Sequence, residues 1–358
     1  MAMALSLGRR GQGNTWPNPA VGCVIVKAGR VVGRGWTQPG GRPHAEVMAL
    51  RQAGDAAIGA DVFVTLEPCA HHGKTPPCCD ALIEARVGRV HIATTDPDPR
   101  TAGQGIARLK DASVEVVLGR MEAEADADNA GFFNRIVEGR PLVTLKLASS
   151  FDGRIATGTG ESQWITGPTA RRAVHAMRMR HDAVMVGGGT ARVDDPSLTV
   201  RDLGAVQQPT RVVISRRLDL PLMGALARTA QEIPVLLCHG SDADKTLKQT
   251  WSDLGATLIE CKVTGSQLDP RDILTQLGTH GLTRVFCEGG STLAASLIEA
   301  QLVDHLVGFT AGVTIGAEGL PNIGALGIGK LREAARFELR DVRQVGGDVL
   351  HHWVARGS

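Results

Sequence analysis

An α/β protein of two domains is the fold class this sequence predicts. Three observations predict it: the length, the alternation of short β-branched runs with helical stretches, and one break in that alternation near residue 140. The chain has 358 residues, and at roughly 150 residues per domain the expectation is two domains. Hydrophobic residues make up 43% and charged residues 21%, an ordinary globular balance that argues against disorder and against a fibrous repeat.

The elements follow in order. MAMALSLGRRGQG places an apolar stretch before its arginines, the reverse of a secretory signal, and reads as an amphipathic first helix. AVGCVIV and RVVGRGW flank Lys27-Ala28-Gly29-Arg30 with the spacing of a hairpin. A helix is expected from about Ala45 to Ala53. DVFVTL, RVHIAT and VEVVLG are three more strands, with helices from Cys78 to Ala85 and near Ile106 to Asp111 between them. The acidic, helix-favouring stretch GRMEAEADADNAGFFNRIVEGRP then breaks the pattern and closes on Gly139 and Pro141. Domains of residues 1–140 and 141–358 are therefore expected.

The second domain starts with PLVTLKLA and continues through AVMVGG, TRVVIS, PVLLCHG, ATLIEC, TRVFCEGG and DHLVGFTAGV, with helices at about 169–180, 270–278 and 292–300. Its tail, ARFELRDVRQVGGDVLHHWVAR, reads as two strands around Gly346-Gly347-Asp348 that add an antiparallel hairpin to the sheet. The Gly-rich segment Gly316 to Gly329 reads only as a loop.

Charge and composition narrow the function. Lys and Arg number 39 against 37 Asp and Glu, with 7 Phe, 5 Trp and no Tyr. That leaves neither the basic footprint nor the stacking platforms of a nucleic-acid binder. No apolar run approaches a membrane span. Seven cysteines without a signal sequence point to a reducing cytoplasm, where cysteine is metal-binding, catalytic or buried.

Chemistry gathers in the first domain. His44-Ala45-Glu46 opens a helix, Pro68-Cys69 follows DVFVTL, and Cys78 begins the next helix. Singly, such a His is ordinarily a satisfied polar residue and such a Cys a small hydrophobe. Together, one imidazole and two thiolates give zinc three ligands and leave a fourth position open, the pattern of a catalytic site. A carboxylate beside an acidified water can carry its proton to a leaving group, and Glu46 is the candidate. Residues i and i+2 face apart within a helix, so His44 and Glu46 can share a site only at its first turn, where Pro43 fits the start. Spacing does not choose between Cys78 and Cys79.

Zinc deaminases carry H-x-E…P-C-x-x-C, whereas here the second cysteine, Cys78, stands nine positions after Cys69. The intervening AHHGKTPP, with Pro17-Asn18-Pro19-Ala20-Val21-Gly22 and the motifs around His44 and Cys69, resembles the bacterial bifunctional riboflavin-biosynthesis deaminase/reductase family. That resemblance implies a cytidine-deaminase-like three-layer domain with zinc on His44, Cys69 and Cys78. It makes Glu46 the proton shuttle and leaves Cys79 structural. Asn18 and the loop from His71 to Thr75 would line the substrate pocket, His72 and Lys74 lying beside a phosphorylated ligand.

The second domain has no G-x-G-x-x-G after a strand, so a nicotinamide cofactor needs another cradle. Gly187-Gly188-Gly189-Thr190 and Glu288-Gly289-Gly290 are strand-to-helix turns where backbone can approach phosphate, with Ser291 and Thr292 at a helix start. KLASSFDGRIA, GESQWITG, GGGTARVDDPSLTVR and CEGGSTL resemble the reductase half of the same family, which implies a dihydrofolate-reductase-like fold. By that resemblance Ala148, Trp164, Thr190, Asp194 and the turn Gly290, Ser291, Thr292, Leu293, Ala294, Ala295 and Ser296 would hold NADPH. Ser162, Arg178, Leu198, Arg201 and Glu288 would hold the substrate, with Lys146 and Asp152 close to the reacting sugar carbon. Arg178 and Arg201 offer planar forks suited to phosphate.

The expected enzyme deaminates a phosphoribosylated diaminopyrimidinone with zinc and then reduces its ribosyl group to ribityl with NADPH. It is expected to act on a small molecule, touch neither nucleic acid nor membrane, and form a homodimer. Two rivals stand against it: a nucleic-acid deaminase with an unrelated second domain, and a non-catalytic nucleotide-binding sensor.

Overall fold

The computed structural model describes residues 1–73, 76–204 and 206–356, so Lys74 and Thr75 of the expected pocket loop lie outside the described residues. The chain divides into two units, Met1–Gly139 and Arg140–Ser358.

In the first unit α1 (Ala2–Gly8) precedes a hairpin of β1 (Gly22–Lys27) and β2 (Arg30–Trp36). Its two turn residues, Ala28 and Gly29, have φ of 49° and 75°, the left-handed pair a two-residue hairpin turn requires. Next come α2 (Ala45–Ala53), β3 (Asp61–Val64), α3 (Cys78–Glu84), β4 (Arg89–Ile92), α4 (Gln104–Asp111), β5 (Glu115–Leu118) and α5 (Glu122–Val137). The sheet runs β2-β1-β3-β4-β5, with β1 antiparallel to both neighbours and β3, β4 and β5 parallel.

Alternation along β1 makes three layers. Cys23 and Ile25 pack with Ala45, Ala49, Leu82 and Leu109 of three helices, while Val24 meets Ala4 and Leu7 of α1 on the opposite face. A Cβ on Gly35 would stand 2.1 Å from the Ala45 carbonyl oxygen, and one on Gly33 would stand 2.3 Å from that of Ala49. Only glycine lets α2 lie this flush on β2, and that contact fixes where the helix begins.

The second unit begins with β6 (Leu142–Ser150), β7 (Arg154–Ala156), α6 (Pro168–Arg178), β8 (Ala183–Gly187), α7 (Gly188–Asp194), β9 (Thr210–Ile214) and α8 (Ala225–Arg228). It continues through β10 (Val235–His239), α9 (Lys245–Asp253), β11 (Thr257–Glu260), β12 (Val263–Thr264), β13 (Gln267–Leu268), α10 (Pro270–Thr279) and β14 (Arg284–Gly289). It ends with α11 (Ser291–Glu299), β15 (His305–Ala311), β16 (Leu320–Pro321), β17 (Phe337–Val345) and β18 (Asp348–Ala355). Nine strands form one sheet in the order β11-β10-β9-β8-β14-β6-β15-β18-β17.

Strands β11 to β15 in that order are parallel, and β18 and β17 extend them as an antiparallel hairpin. Val143, Val184, Met185, Val212 and Val213 are fully buried, as expected where helices cover both faces of a parallel sheet. The chain runs outward from β8 to β11 and then returns to insert β14 between β8 and β6. Such a reversal opens a crevice at the carboxyl ends of the strands. Within Gly316 to Gly329 the short β16 pairs with β7. Among the described residues no helix is long and apolar enough to cross a membrane.

Candidate active sites

His44 is the N-cap of α2, Cys78 the first residue of α3, and Cys69 lies in the loop leaving β3. These starts bring His44 Nδ1 to 3.2 Å from Cys78 Sγ and 3.6 Å from Cys69 Sγ. Ligand atoms ~2.1 and ~2.3 Å from a tetrahedral zinc stand about 3.6 Å apart, so the donor set and its spacing fit that ion. The Cys78 amide donates to Cys69 Sγ at 3.3 Å, which ties the loop to the helix. Cys79 points elsewhere: it is buried in the core, its sulfur 3.7 Å from Asp80. The cluster of possible ligand atoms thus contains Cys78 and not Cys79.

Protonation follows this crowding. The hydrogen bond from the Cys78 thiol is the main influence lowering Cys69, and the same bond holds Cys78 far up. Burial works against a charged His44, but the bond to Cys69 and the Glu46 charge outweigh it and raise the imidazole. Glu46, in the first turn of α2, is 3% exposed. Burial pushes its carboxyl up to about 6, against the pull of His44.

A cavity of about 320 Å³ opens beside this cluster. Asn18 and His71 line it, and the His71 ring is 3.3 Å from the Thr101 hydroxyl. Its far wall, absent from the sequence reading, comes from the loop after β4: Asp96, Asp98 and Arg100, with Arg135 of α5. Burial lifts Asp96 to about 6, while the Arg100 guanidinium, donating at 2.9 Å, lowers Asp98.

Glu67 anchors both sides of the pocket. Its buried carboxylate accepts the amides of Gly105 at 3.0 Å, Ile106 at 3.2 Å, Gly103 at 3.1 Å and Asp96 at 3.3 Å. A carboxylate at a helix start satisfies amides that have no partner within the helix, and here it joins the Cys69 loop to the Asp96 wall. Its position directly before Pro68-Cys69 was the only signal in sequence.

In the second unit a cavity of about 400 Å³ lies at the ends of β8, β9 and β14. Thr190, Gly290, Thr292, Leu293 and Ser296 line it. Ser291 starts α11, whereas Ala294 and Ala295 face the core. Outside the lining, Ala148 packs beside Ala170 and Val174, and Asp194 is exposed at the end of α7. Trp164 is 67% exposed, with the Arg171 guanidinium 4.5 Å above its ring.

The expected substrate residues divide. Arg178 and Glu288 form a partly buried bidentate pair, through Nε and through Nη2 at 2.9 Å, and Arg178 Nη1 reaches the Thr199 carbonyl at 2.7 Å. Much of the fork expected for phosphate is therefore engaged. Lys146 is half-buried, its ammonium pushed down by burial and supported by Glu288. Asp152 is taken up as a latch: it accepts the Ser150 hydroxyl at 2.6 Å and the Gly316 amide at 2.7 Å, which hold it down to about 2. Leu198 has a buried side chain, while Ser162 and Arg201 are exposed, the Arg201 amide donating to His175 at 3.2 Å.

Residues 1–94 match the cytidine and deoxycytidylate deaminase zinc-binding region, and residues 141–351 match the RibD C-terminal domain. A zinc-type deaminase half joined to a reductase half defines a two-headed enzyme. Riboflavin biosynthesis protein RibD of Escherichia coli is 41% identical over 360 residues, covering 99% of this chain and 98% of that protein. The solved Acinetobacter baumannii RibD is 38% identical with a TM-score of 0.89, covering 99% of this chain and 97% of its own. A diaminohydroxyphosphoribosylaminopyrimidine deaminase/5-amino-6-(5-phosphoribosylamino)uracil reductase from Thermotoga maritima is 32% identical, with a TM-score of 0.87 and coverage of 99% and 97%. The chain belongs to the RibD family of riboflavin biosynthesis, bifunctional deaminase-reductases that use zinc and NADPH.

Proposed function

We propose that residues 1–140 hydrolyse the ring amino group of a phosphoribosylated diaminopyrimidinone and that residues 141–358 reduce its ribosyl group to ribityl. The observation that carries this reading is the convergence of His44, Cys69 and Cys78 within 4.8 Å, with buried Glu46 beside them. Zinc on those three atoms would supply an acidified water for replacing the ring amino group by oxygen. Glu46, buried beside them, is placed to hold a proton there and to give it to the departing ammonia. Asn18 and His71 orient the ring.

In the second half NADPH supplies the hydride for the sugar's first carbon. Thr190 and the turn from Gly290 to Ser296 position the cofactor, with Ala148, Trp164 and Asp194 completing its surroundings. Ser162, Arg178, Leu198, Arg201 and Glu288 hold the substrate, Lys146 standing over Glu288 near the sugar. Asp152 serves by fixing the loop at Gly316. The enzyme is read as a cytoplasmic homodimer that acts on a small molecule and binds no nucleic acid, which its near-balanced charge supports.

A mass-spectrometric time course of zinc-loaded protein with the phosphoribosyl diaminopyrimidinone, with and without NADPH, tests both halves. The amino-to-oxo shift is expected without NADPH and the two-hydrogen gain only with it. Glu46→Gln lowers the first rate about 10²–10⁴-fold while zinc content and reduction of supplied deaminated substrate persist. Neither mass shift in a folded, zinc-loaded sample, or an unchanged first rate in Glu46→Gln, overturns the reading.

A further inference from the structure

The lining of the reductase cavity is of two chemically unlike kinds. Gly289 and Gly290, at φ of 89° and 88°, lead into the start of α11, whose first amides have no partner within the helix. The residues after β9 bring Arg216 and Arg217 to the same cavity, and α7 adds Arg192. Two of these three cations are neutralised in place. Arg192 Nη1 lies 2.9 Å from Asp219, and Arg216 Nη2 lies 2.8 Å from Asp242. The Ser215 hydroxyl also binds Asp219, at 3.0 Å.

Arg217 differs from both. It is exposed, lines the cavity, and has no hydrogen bond or ion pair among the described residues. Asp242 is held below its usual range first by the Arg216 hydrogen bond and feels Arg217 only as a weaker, longer-range charge. The carboxylates that could accept ribose hydroxyls at this strand end, Asp219 and Asp242, are already occupied. In nucleotide-binding sheets a free carboxylate after a strand suits NADH, whereas a nearby arginine accommodates the extra phosphate of NADPH.

We propose that Arg217 binds the phosphate on the adenosine ribose of NADPH and is the residue that makes this reductase prefer NADPH to NADH. The proposal rests on residues 141–358 being the NADPH-dependent half. The α11 amides take the pyrophosphate common to both cofactors, Arg216 stays with Asp242, and Arg217 supplies the one charge that tells the cofactors apart. Its guanidinium suits a bidentate grip on phosphate.

Calorimetric titration of the full chain with NADP⁺ and NAD⁺, without turnover, reads this directly. In Arg217→Gln, NADP⁺ affinity is expected to fall about 10–100-fold, the span of one charge-assisted bond, with NAD⁺ affinity unchanged. Arg217→Lys should recover part of the loss, and the salt dependence of NADP⁺ binding should flatten in Arg217→Gln. Equal weakening of both cofactors, or no change in either, overturns the assignment of Arg217 while leaving the reductase reading intact. Failure of the unaltered protein to bind NADP⁺ overturns the reductase reading itself.

Discussion

The two halves build their sites in opposite ways. In the first, His44 and Cys78 stand 34 positions apart and meet directly, with Glu46 and Cys69 between them in sequence. In the second, Arg178 and Glu288 are 110 positions apart, and the cavity is collected from the ends of three strands that the topology brings side by side. A metal and a proton shuttle need side-chain atoms at fixed separations, so short-range motifs suffice. A dinucleotide is held over a longer path, largely by backbone at strand ends, and only a few side chains such as Arg217 carry its specificity. The difference teaches that one half is defined by what its residues are, and the other by where its strands end.

Three perturbations test that contrast. The largest effect is expected from Asp304→Ala. Asp304 accepts both arms of buried Arg140 at 2.8 Å and the Val143 amide at 2.7 Å, so its loss breaks a buried bidentate ion pair and costs about 3–5 kcal/mol. Urea titrations read by NADP⁺ binding should shift, with deaminase rate and zinc content preserved below the new midpoint. Simultaneous loss of both activities would break the picture of separately organised halves.

Next in size is Gly35→Ala, where a Cβ would stand 2.1 Å from the Ala45 carbonyl oxygen. Overpacking of this kind costs about 1–3 kcal/mol, and it lifts the start of α2 that carries His44. Zinc affinity should fall in a chelator competition while reduction of deaminated substrate is unchanged.

The smallest effect is a pH slope in the second half. His181 is buried, its ring nitrogens 2.8 Å from the Met177 carbonyl and 2.9 Å from the Thr144 hydroxyl, which suits the neutral imidazole. Burial pushes it down from 6.5 to about 3. Below 6.5 the unfolded chain binds a proton that the folded one refuses, so stability present above that pH is lost as pH falls, by at most about 1.4 kcal/mol per unit. His181→Gln should remove this part of the slope in denaturant midpoints between pH 6.5 and 4.5; an unchanged slope would assign it to other groups.

Much of this was legible in the sequence because it is local. The β1–β2 turn, the acidic α5 and the hairpin around Gly346 follow from neighbouring residues, and the zinc cluster from the order of three motifs. What was not legible depends on distant partners. Glu67 takes its meaning from amides up to 39 positions away, Asp152 from the amides of Ile315 and Gly316, and Arg178 from Glu288. Elements such as β12, β13 and β16 have two residues each, too few to show a period. Sequence also could not separate the paired arginines 192 and 216 from Arg217, which has no partner among the described residues, since the carboxylates that decide it approach only in the fold.

Four amides of the β4–α4 connection and the first turn of α4 end on the single Glu67 carboxylate. The strand exit that bears Cys69 and the wall that bears Asp96 therefore share one electrostatic anchor, and opening either of them to solvent breaks hydrogen bonds that the other also uses.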